Sequence, residues 1–283
     1  MLKRTISGAI YVALIMAGIL GGAYSFAALF LCLDLLCTWE LARLFRTSRG
    51  IHINLISTSI ASLILFLSAF VWFSGLISDP RIFLIWPVWL LIMFIIEIYR
   101  PATQNDTHSD LLSGRLDGLV FSLFTQIYIS LPMLMLTKMS FLQAHLIEAY
   151  DYIPVLSLFI LLWVSDTMAY LCGKVFGKHK LIERISPKKT WEGFFGGLIF
   201  SIIAALVLSF VFPYEIKRGL WLIYGFLVSL FGVFGDLFES LIKRTLKVKD
   251  SGNMIPGHGG ILDRMDSCLL AIPAATLFLL WIV

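Results

Sequence analysis

Charged side chains are scarce in this 283-residue sequence, since Asp, Glu, Lys and Arg together make up only 14% of it. A soluble domain has about 25% charged residues, because its surface must interact with water. Hydrophobic residues reach 59% here, and the mean hydropathy is +0.90. The shortage of charge argues against an ordinary soluble enzyme and indicates a chain surrounded by lipid.

Several kinds of motif are also missing. The four cysteines contain no CxxC pair, which argues against a zinc or disulfide framework. The sequence lacks a Walker A loop, a Rossmann fingerprint and a Ser-His-Asp arrangement. No Ser/Gly-rich linker or low-complexity tract interrupts it, so residues 1–283 are predicted to form a single integral membrane domain.

Long uncharged segments fill most of the chain. A membrane-spanning segment needs about 20 mostly apolar residues and must be helical, because lipid offers its backbone no hydrogen bonds. The predicted fold is therefore an all-α polytopic membrane protein with about nine transmembrane helices. Lys3 and Arg4 before the first span would also suit a signal peptide, but the spans that follow favour a retained helix. The predicted spans are residues 5–21, 24–45, 54–74, 81–99, 118–137, 152–172, 193–213, 219–239 and 267–283.

Basic residues are distributed unevenly between the two sides of this arrangement. If the N-terminus is cytoplasmic, 18 of the 22 Lys and Arg residues fall on the cytoplasmic side. Cytoplasmic loops characteristically carry such an excess. The asymmetry supports both the span count and the orientation, and it argues against nucleic-acid binding because the basic residues lie in short loops between spans. The expected location is a bacterial-type inner membrane, with the active site on the cytoplasmic side. A homodimer is compatible with the sequence, which does not fix the oligomeric state.

Seven acidic residues fall near the cytoplasmic ends of predicted spans. Carboxylates within a membrane are costly and usually face a polar cavity, so a cavity in the inner leaflet is predicted. For Glu40, an ion pair with Arg43 on the same helix face is an equally good explanation. We expect residues 1–150 to form a scaffold or lipid cavity and residues 151–283 to carry the catalytic helices and loops. The seven acids are Glu40, Glu97, Asp166, Asp236, Glu239, Asp263 and Asp266.

The C-terminal polar segment, residues 240–266, holds the strongest candidates. Asp263 and Asp266 are three apart, so on a helix they lie on the same side and could hold Mg²⁺, which prefers oxygen ligands. The structural alternative is that Asp263 caps the last helix and Asp266 interacts with its dipole. Upstream, Asp236, Ser240 and Lys243 or Arg244 recur at helical spacing.

Between these groups the segment 255–260 is rich in glycine. Gly259 and Gly260 allow backbone N–H groups to form an anion-binding nest, although a plain turn explains most short glycine-rich runs. The neighbouring Lys247, Lys249 and Asp250 favour a binding loop.

A second polar segment contains Ser186, Pro187, Lys188, Lys189 and Thr190 directly before a predicted helix. Hydroxyls and cations at a helix N-terminus suit phosphate oxygens. Lys174, Lys178 and Lys180 are explained equally well as topology signals. Gly193 and Gly197 are predicted to serve close helix packing.

Cations, hydroxyls and metal-binding carboxylates without a histidine cluster suit phosphoryl or nucleotidyl transfer, where catalysis is mainly positioning and charge neutralisation. A CDP-alcohol phosphotransferase, a lipid kinase and a transporter are the alternatives. The first should show a longer multi-Asp motif, and a transporter often has matched halves, whereas here the polar segments crowd into one half.

The segment 240–266 resembles the signature of the phosphatidate cytidylyltransferases, also called CDP-diacylglycerol synthases. Residues 163–193 are also similar to that family, whereas residues 1–150 agree only in length and hydropathy. The matching residues of the signature are Ser240, Lys243, Arg244, Lys249, Asp250, Gly252, Pro256, His258, Gly259, Gly260, Asp263, Arg264 and Asp266.

The resemblance implies that CTP and phosphatidate react to give CDP-diacylglycerol and pyrophosphate. It also implies that the reaction requires Mg²⁺, with either one or two metal ions in the site. In the implied site Asp236, Asp263 and Asp266 bind metal, with Asp166 as a further ligand. Lys243, Arg244, Lys249 and Arg264 would neutralise the phosphates. The implied substrate-binding residues are Ser186, Lys188, Lys189, Thr190, Glu192, Ser240, Asp250, His258, Gly259 and Gly260.

Overall fold

The computed structural model of the chain describes residues 2–100, 108–143, 147–212, 217–252 and 259–282. This part of the chain contains ten α-helices and one small antiparallel sheet of two strands. The helices are α1 (Leu2–Leu20), α2 (Ala23–Arg49), α3 (Leu55–Phe73), α4 (Ile85–Ile98), α5 (His108–Thr125), α6 (Leu131–Met139), α7 (Ile153–Phe176), α8 (Trp191–Val211), α9 (Arg218–Thr245) and α10 (Leu262–Ile282). The strands are β1 (Lys180–Ile182) and β2 (Ser186–Thr190).

Eight helical segments of the described chain are long and apolar enough to cross a membrane, and the shorter apolar helix Gly8–Leu20 precedes them. One of the eight, Leu116–Met139, joins α5 and α6 through a π-helical turn at Gln126–Ser130. The nine predicted spans thus all appear as helices, and the prediction of an all-α polytopic membrane protein is confirmed. The side on which the N-terminus lies stays a prediction.

The helix ends differ most around the C-terminal polar segment. Helix α9 continues to Thr245, six residues beyond the predicted span, and α10 begins at Leu262. Both ends of the segment 240–266 are therefore helical. Asp236 and Ser240 share one helix, and Asp263 and Asp266 lie at the start of the next.

The π-helical turn has a local cause and places polar side chains in the protein interior. Pro132 follows the turn and cannot donate the amide hydrogen bond that a regular helix requires. Within the turn, the Ser130 hydroxyl lies 2.9 Å from Asp34 Oδ1 and 2.8 Å from Ser62 Oγ. Asp34, which is 0% exposed, thus receives a donor from a distant helix that the sequence does not reveal.

One apolar core joins the N-terminal and C-terminal helices. Phe30 of α2 lies against Phe159 of α7, with ring centroids 5.9 Å apart, and Leu269 and Ile272 of α10 belong to the same buried cluster. The two halves of the chain therefore pack as one unit around the helices that carry the polar segments.

Close packing of α7 against α8 depends on the two glycines identified in the sequence. A Cβ atom on Gly193 would lie 2.7 Å from the Ala169 carbonyl oxygen, and one on Gly197 would lie 2.8 Å from the Ser165 carbonyl oxygen. These distances are too short for any side chain, so the prediction that both glycines serve helix packing is confirmed. The contact brings the start of α8 next to the part of α7 that carries Asp166.

Candidate active site

A cavity of about 460 Å³ lies where the two polar segments meet. It is bounded by α7, the β1–β2 sheet and the ends of α8, α9 and α10. Four carboxylates and four cations line it, so its charges are balanced within an otherwise apolar helical frame. These residues are Asp166, Asp236, Asp263, Asp266, Lys174, Lys188, Lys189 and Arg264.

Strand β2 of the small sheet places part of the Ser-Pro-Lys-Lys-Thr segment, residues 186–190, at this cavity. Lys188, Lys189 and Thr190 line the cavity from β2, and Lys189 Nζ lies 2.7 Å from Asp236 Oδ2. Thr190 ends the strand and caps α8, because its hydroxyl oxygen accepts the Gly193 amide at 3.1 Å. Ser186 begins the same strand and does not line the cavity.

Glu192 lies two residues after Thr190, and it contacts the segment before β1 rather than the cavity. Its Oε1 atom is 2.7 Å from His179 Nδ1 and 3.2 Å from the His179 amide nitrogen. Glu192 therefore holds the segment before β1 against the start of α8. A direct contact between Glu192 and a substrate stays a prediction.

Helix α9 presents Asp236 to the cavity and Lys243 to the first turn of α10. The Ser240 hydroxyl donates to Asp236 Oδ1 at 3.3 Å, one helical turn away. Lys243 Nζ lies 2.7 Å from Asp263 Oδ1 and 3.0 Å from Glu239 Oε2. Lys243 does not line the cavity itself, but it bridges Glu239 to the cavity residue Asp263 and so fixes Asp263 in place.

Both carboxylate oxygens of Asp263 have partners within the chain. Besides the Lys243 contact, Asp263 Oδ2 accepts the amides of Gly260 at 2.8 Å and Ser251 at 3.1 Å. The structural alternative, in which Asp263 stabilises the start of α10, is therefore supported by direct contacts. Asp266 also lines the cavity, and its Oδ1 atom accepts the adjacent Ser267 amide at 2.7 Å.

Of the other cations of the signature, Arg264 lines the cavity, whereas Arg244 and Lys249 lie outside its lining. Arg244 Nε donates to the Ile185 carbonyl at 3.3 Å, which ties the β1–β2 turn to α9. Lys249 and Asp250 are exposed. Their predicted contacts with phosphate stay predictions.

The glycine-rich run is only partly described. His258 lies outside the described residues. Gly259 has a φ of 83°, in the left-handed region that favours glycine, and Gly260 donates its amide to Asp263. The predicted anion-binding nest is neither supported nor contradicted by these contacts.

The carboxylates suit a hard divalent cation. Asp166, Asp236 and Asp266 line one cavity and lie within electrostatic range of one another. Within the described ranges, no three His, Cys, Asp or Glu side chains form a ready-made metal cage. Mg²⁺ is commonly held by one or two carboxylates together with waters and substrate phosphates, so it does not require such a cage.

Two residues of α7 that line the cavity were not among the site residues predicted from the sequence. Tyr170 and Lys174 line the cavity beside Asp166. Their positions follow Asp166 at intervals of four residues, so helical spacing from that acid could have found them. Lys174 is thus more than a topology signal.

Glu40 is a further residue whose role the sequence did not reveal. Its Oε2 atom accepts the amide of Leu262, the first residue of α10, at 2.8 Å. Among the ion pairs of the described residues, none joins Glu40 to Arg43. Only the folded contact between α2 and α10 identifies Glu40 as part of this region.

The fold and the cavity define a class of protein: an integral membrane protein with a charged, phosphate-compatible cavity at one end of its helices. The sequence profile of the cytidylyltransferase family matches residues 2–282. The chain belongs to this family.

Curated bacterial relatives carry a more specific name. The phosphatidate cytidylyltransferase of Staphylococcus saprophyticus is 48% identical over 135 residues, covering 48% of this chain and 51% of the relative. The protein of the same name from Staphylococcus haemolyticus is 47% identical over 126 residues, which cover 44% of this chain and 48% of the relative. The one from Staphylococcus aureus is 47% identical over 135 residues, which cover 47% of this chain and 50% of the relative. The chain spans about half the length of the curated relatives it matches.

Proposed function

We propose that this chain transfers CMP from CTP to phosphatidate, giving CDP-diacylglycerol and pyrophosphate. The observation that carries the proposal is the cavity in which Lys188, Lys189 and Arg264 lie among Asp166, Asp236 and Asp266. Family membership and the names of the relatives favour the same reaction.

The proposed reaction needs little general-base catalysis. An oxygen of the phosphatidate phosphate, already ionised, attacks the α-phosphorus of CTP. A new P–O bond forms there, and the bond from the α-phosphorus to the oxygen bridging to the β-phosphate breaks. The electron pair leaves with pyrophosphate. The task of the protein is therefore to bring together two anionic substrates and offset their charge.

The cavity cations would perform that task. Lys174, Lys188, Lys189 and Arg264 come from three different elements, so they can surround phosphates from several directions. The contact between Lys189 and Asp236 at 2.7 Å holds both groups in place before substrate arrives. Binding of phosphate to Lys189 would release Asp236 for another partner.

Asp236 and Asp266, with Asp166 nearby, are the residues that would hold Mg²⁺. When bound, the ion would neutralise phosphate charge and polarise the reacting phosphoryl group. Asp263, whose oxygens bind Lys243 and two amides, would position the start of α10 and hence Asp266.

We place the site on the cytoplasmic side of a bacterial inner membrane. The two segments that form the cavity, residues 174–190 and 243–264, hold half of all the basic residues in the sequence. The positive-inside rule puts such segments in the cytoplasm, where CTP is found. A single cysteine introduced at exposed Lys249 should not react with a membrane-impermeant thiol reagent added to intact cells. Labelling of this cysteine from outside would contradict the placement.

The direct test uses purified protein in nanodiscs that contain phosphatidate. With CTP and Mg²⁺, mass spectrometry of the lipid should show CDP-diacylglycerol, and the Asp236→Asn variant should lose most of this product. Glu148→Gln is the control, because exposed Glu148 lies at the opposite end of the span that carries Asp166. A second set of nanodiscs contains a lipid alcohol in place of phosphatidate. Phosphorylation of that alcohol, with no CDP-diacylglycerol formed from phosphatidate, would instead identify a lipid kinase.

A further inference from the structure

Helix α10 begins without a polar side chain of its own to cap it. The first amides of an α-helix have no intrahelical acceptor and are normally satisfied by Ser, Thr, Asp or Asn at the preceding position. Here the residue before Leu262 is Ile261, whose side chain cannot accept a hydrogen bond. The Leu262 amide must find its acceptor elsewhere, since Leu262 is only 1% exposed.

That acceptor is Glu40, which is 222 positions away in the sequence. Glu40 Oε2 lies 2.8 Å from the Leu262 nitrogen, and the side chain is buried, with 5% of its surface exposed. A carboxylate at this place also interacts favourably with the positive end of the helix dipole. Glu40 therefore takes the part of an N-cap residue, although it belongs to α2.

The surroundings of Glu40 are shaped to hold it there. Cβ atoms added to Gly252 and Gly260 would lie 1.9 Å and 2.1 Å from Glu40 Oε1, so both backbone segments approach the carboxylate more closely than any side chain would allow. The Ser251 hydroxyl would lie 2.0 Å from the same Gly260 Cβ position, which places it beside the carboxylate. This close packing indicates a specific binding position for the Glu40 carboxylate rather than incidental burial.

We infer that Glu40 is a positioning residue that sets the start of α10, and with it the direction of Asp263, Arg264 and Asp266 into the cavity. The consequence for catalysis depends on the function proposed above, whereas the capping contact does not. Glu40 itself does not line the cavity, so it acts through α10 and not on a substrate. The N-terminal half of the chain thereby contributes a defined contact to the start of α10.

The test separates the acceptor oxygen of Glu40 from its bulk and its charge. Glu40→Met keeps an unbranched side chain of similar length and removes the acceptor, whereas Glu40→Gln keeps an acceptor and removes the charge. Glu148→Gln, an exposed residue outside this region, is the matched control. Each variant of the full chain is placed in nanodiscs, and amide exchange is followed by mass spectrometry in a peptide that contains Leu262, without substrate. CMP transfer is then measured with phosphatidate present.

We expect Glu40→Met to speed exchange at Leu262 by roughly tenfold or more, because its amide loses a charge-assisted hydrogen bond. The same variant should lower kcat roughly tenfold, since misplacement of catalytic groups by a fraction of an ångström has effects of this order. Glu40→Gln should stay within about threefold of wild type in both, because a neutral acceptor still makes a hydrogen bond, though a weaker one.

Wild-type exchange at Leu262 in Glu40→Met would overturn the inference. So would exchange in Glu40→Gln as fast as in Glu40→Met. If the Met variant fails to fold, the Gln variant is compared with wild type alone, and a tenfold faster exchange at Leu262 would overturn the inference. Loss of kcat in Glu40→Gln with unchanged exchange would assign Glu40 a direct charge role instead. If the wild-type chain makes no CDP-diacylglycerol, the proposed function fails, and the exchange data still decide whether Glu40 caps α10.

Discussion

Replacement of Lys243 by Met should destabilise the protein more than most single substitutions. Lys243 is largely buried, with 12% of its side chain exposed, and its ammonium group contacts Asp263 and Glu239 at 2.7 and 3.0 Å. Glu239 is 0% exposed. Without Lys243, the buried Glu239 and the partly buried Asp263 face each other with no cation between them.

The size of the effect follows from the cost of leaving a buried charge unpaired. Removing one partner of a buried ion pair typically costs about 3–5 kcal/mol. At roughly 2–4 °C per kcal/mol, the scale for soluble chains of somewhat smaller size, the melting temperature should fall by about 6–20 °C. Adding Glu239→Gln to Lys243→Met removes one of the two charges and should recover about 1–3 kcal/mol of the loss.

Thermal unfolding in detergent can be followed with a thiol-reactive dye. Cys37 and Cys268 are buried free cysteines and will react on unfolding, whereas exposed Cys32 supplies the baseline. Glu239→Gln in the wild-type background completes the cycle, and it should destabilise because Lys243 then loses a partner. The reasoning is refuted if Lys243→Met melts at the wild-type temperature, or if Glu239→Gln lowers the melting temperature equally in both backgrounds.

Three further substitutions, together with one control, have defined outcomes. Asp236→Asn should lower CMP transfer by roughly 100-fold or more while the protein stays folded, because a charged cavity group is lost; equal rates in a CTP-dependent assay would exclude Asp236 from the site. Gly260→Ala should reduce activity and stability, since its Cβ would lie within 2.1 Å of neighbouring side-chain oxygens. Gly219→Ala, where no atom lies within 4 Å, should preserve both and serves as the control. Ser130→Ala should destabilise by about 1–3 kcal/mol, measured by the same melting assay, because buried Asp34 loses a donor; an unchanged melting temperature would show that this hydrogen bond contributes nothing.

Much of the fold could be predicted because lipid imposes strong rules on sequence. Uncharged segments of about 20 residues must be helical in a bilayer, and the nine predicted spans appear with small shifts at their ends. The predicted span ends at residue 239, since charged residues such as Lys243 mark the end of an apolar run without ending the helix. Helix α9 continues to Thr245, in agreement with the helical spacing of Asp236, Ser240 and Lys243. Helical spacing alone correctly placed Asp236 and Ser240 on one face.

The site was predicted in composition but not in its internal contacts. Asp166, Asp236, Asp266, Lys188 and Lys189 meet in one cavity, as sequence spacing and family resemblance suggested. What spacing cannot reveal is which charged groups neutralise each other.

Lys243 and Glu40 show this limit most clearly. Lys243 contacts Asp263 across twenty positions, and Glu40 reaches Leu262 across more than two hundred. Such pairs depend on how helices pack. Sequence reasoning therefore treated Lys243 as a substrate-neutralising cation, and it weighed Glu40 only as a cavity acid or a partner of Arg43.

The fate of the individual CTP phosphates tests the central claim most directly. Purified protein in phosphatidate nanodiscs should be given CTP labelled at either the α- or the γ-phosphate, with Mg²⁺. We predict that the α label enters the lipid product and that the γ label is released as pyrophosphate. Transfer of the γ label to lipid, or no CTP-dependent labelling at all, would contradict the account.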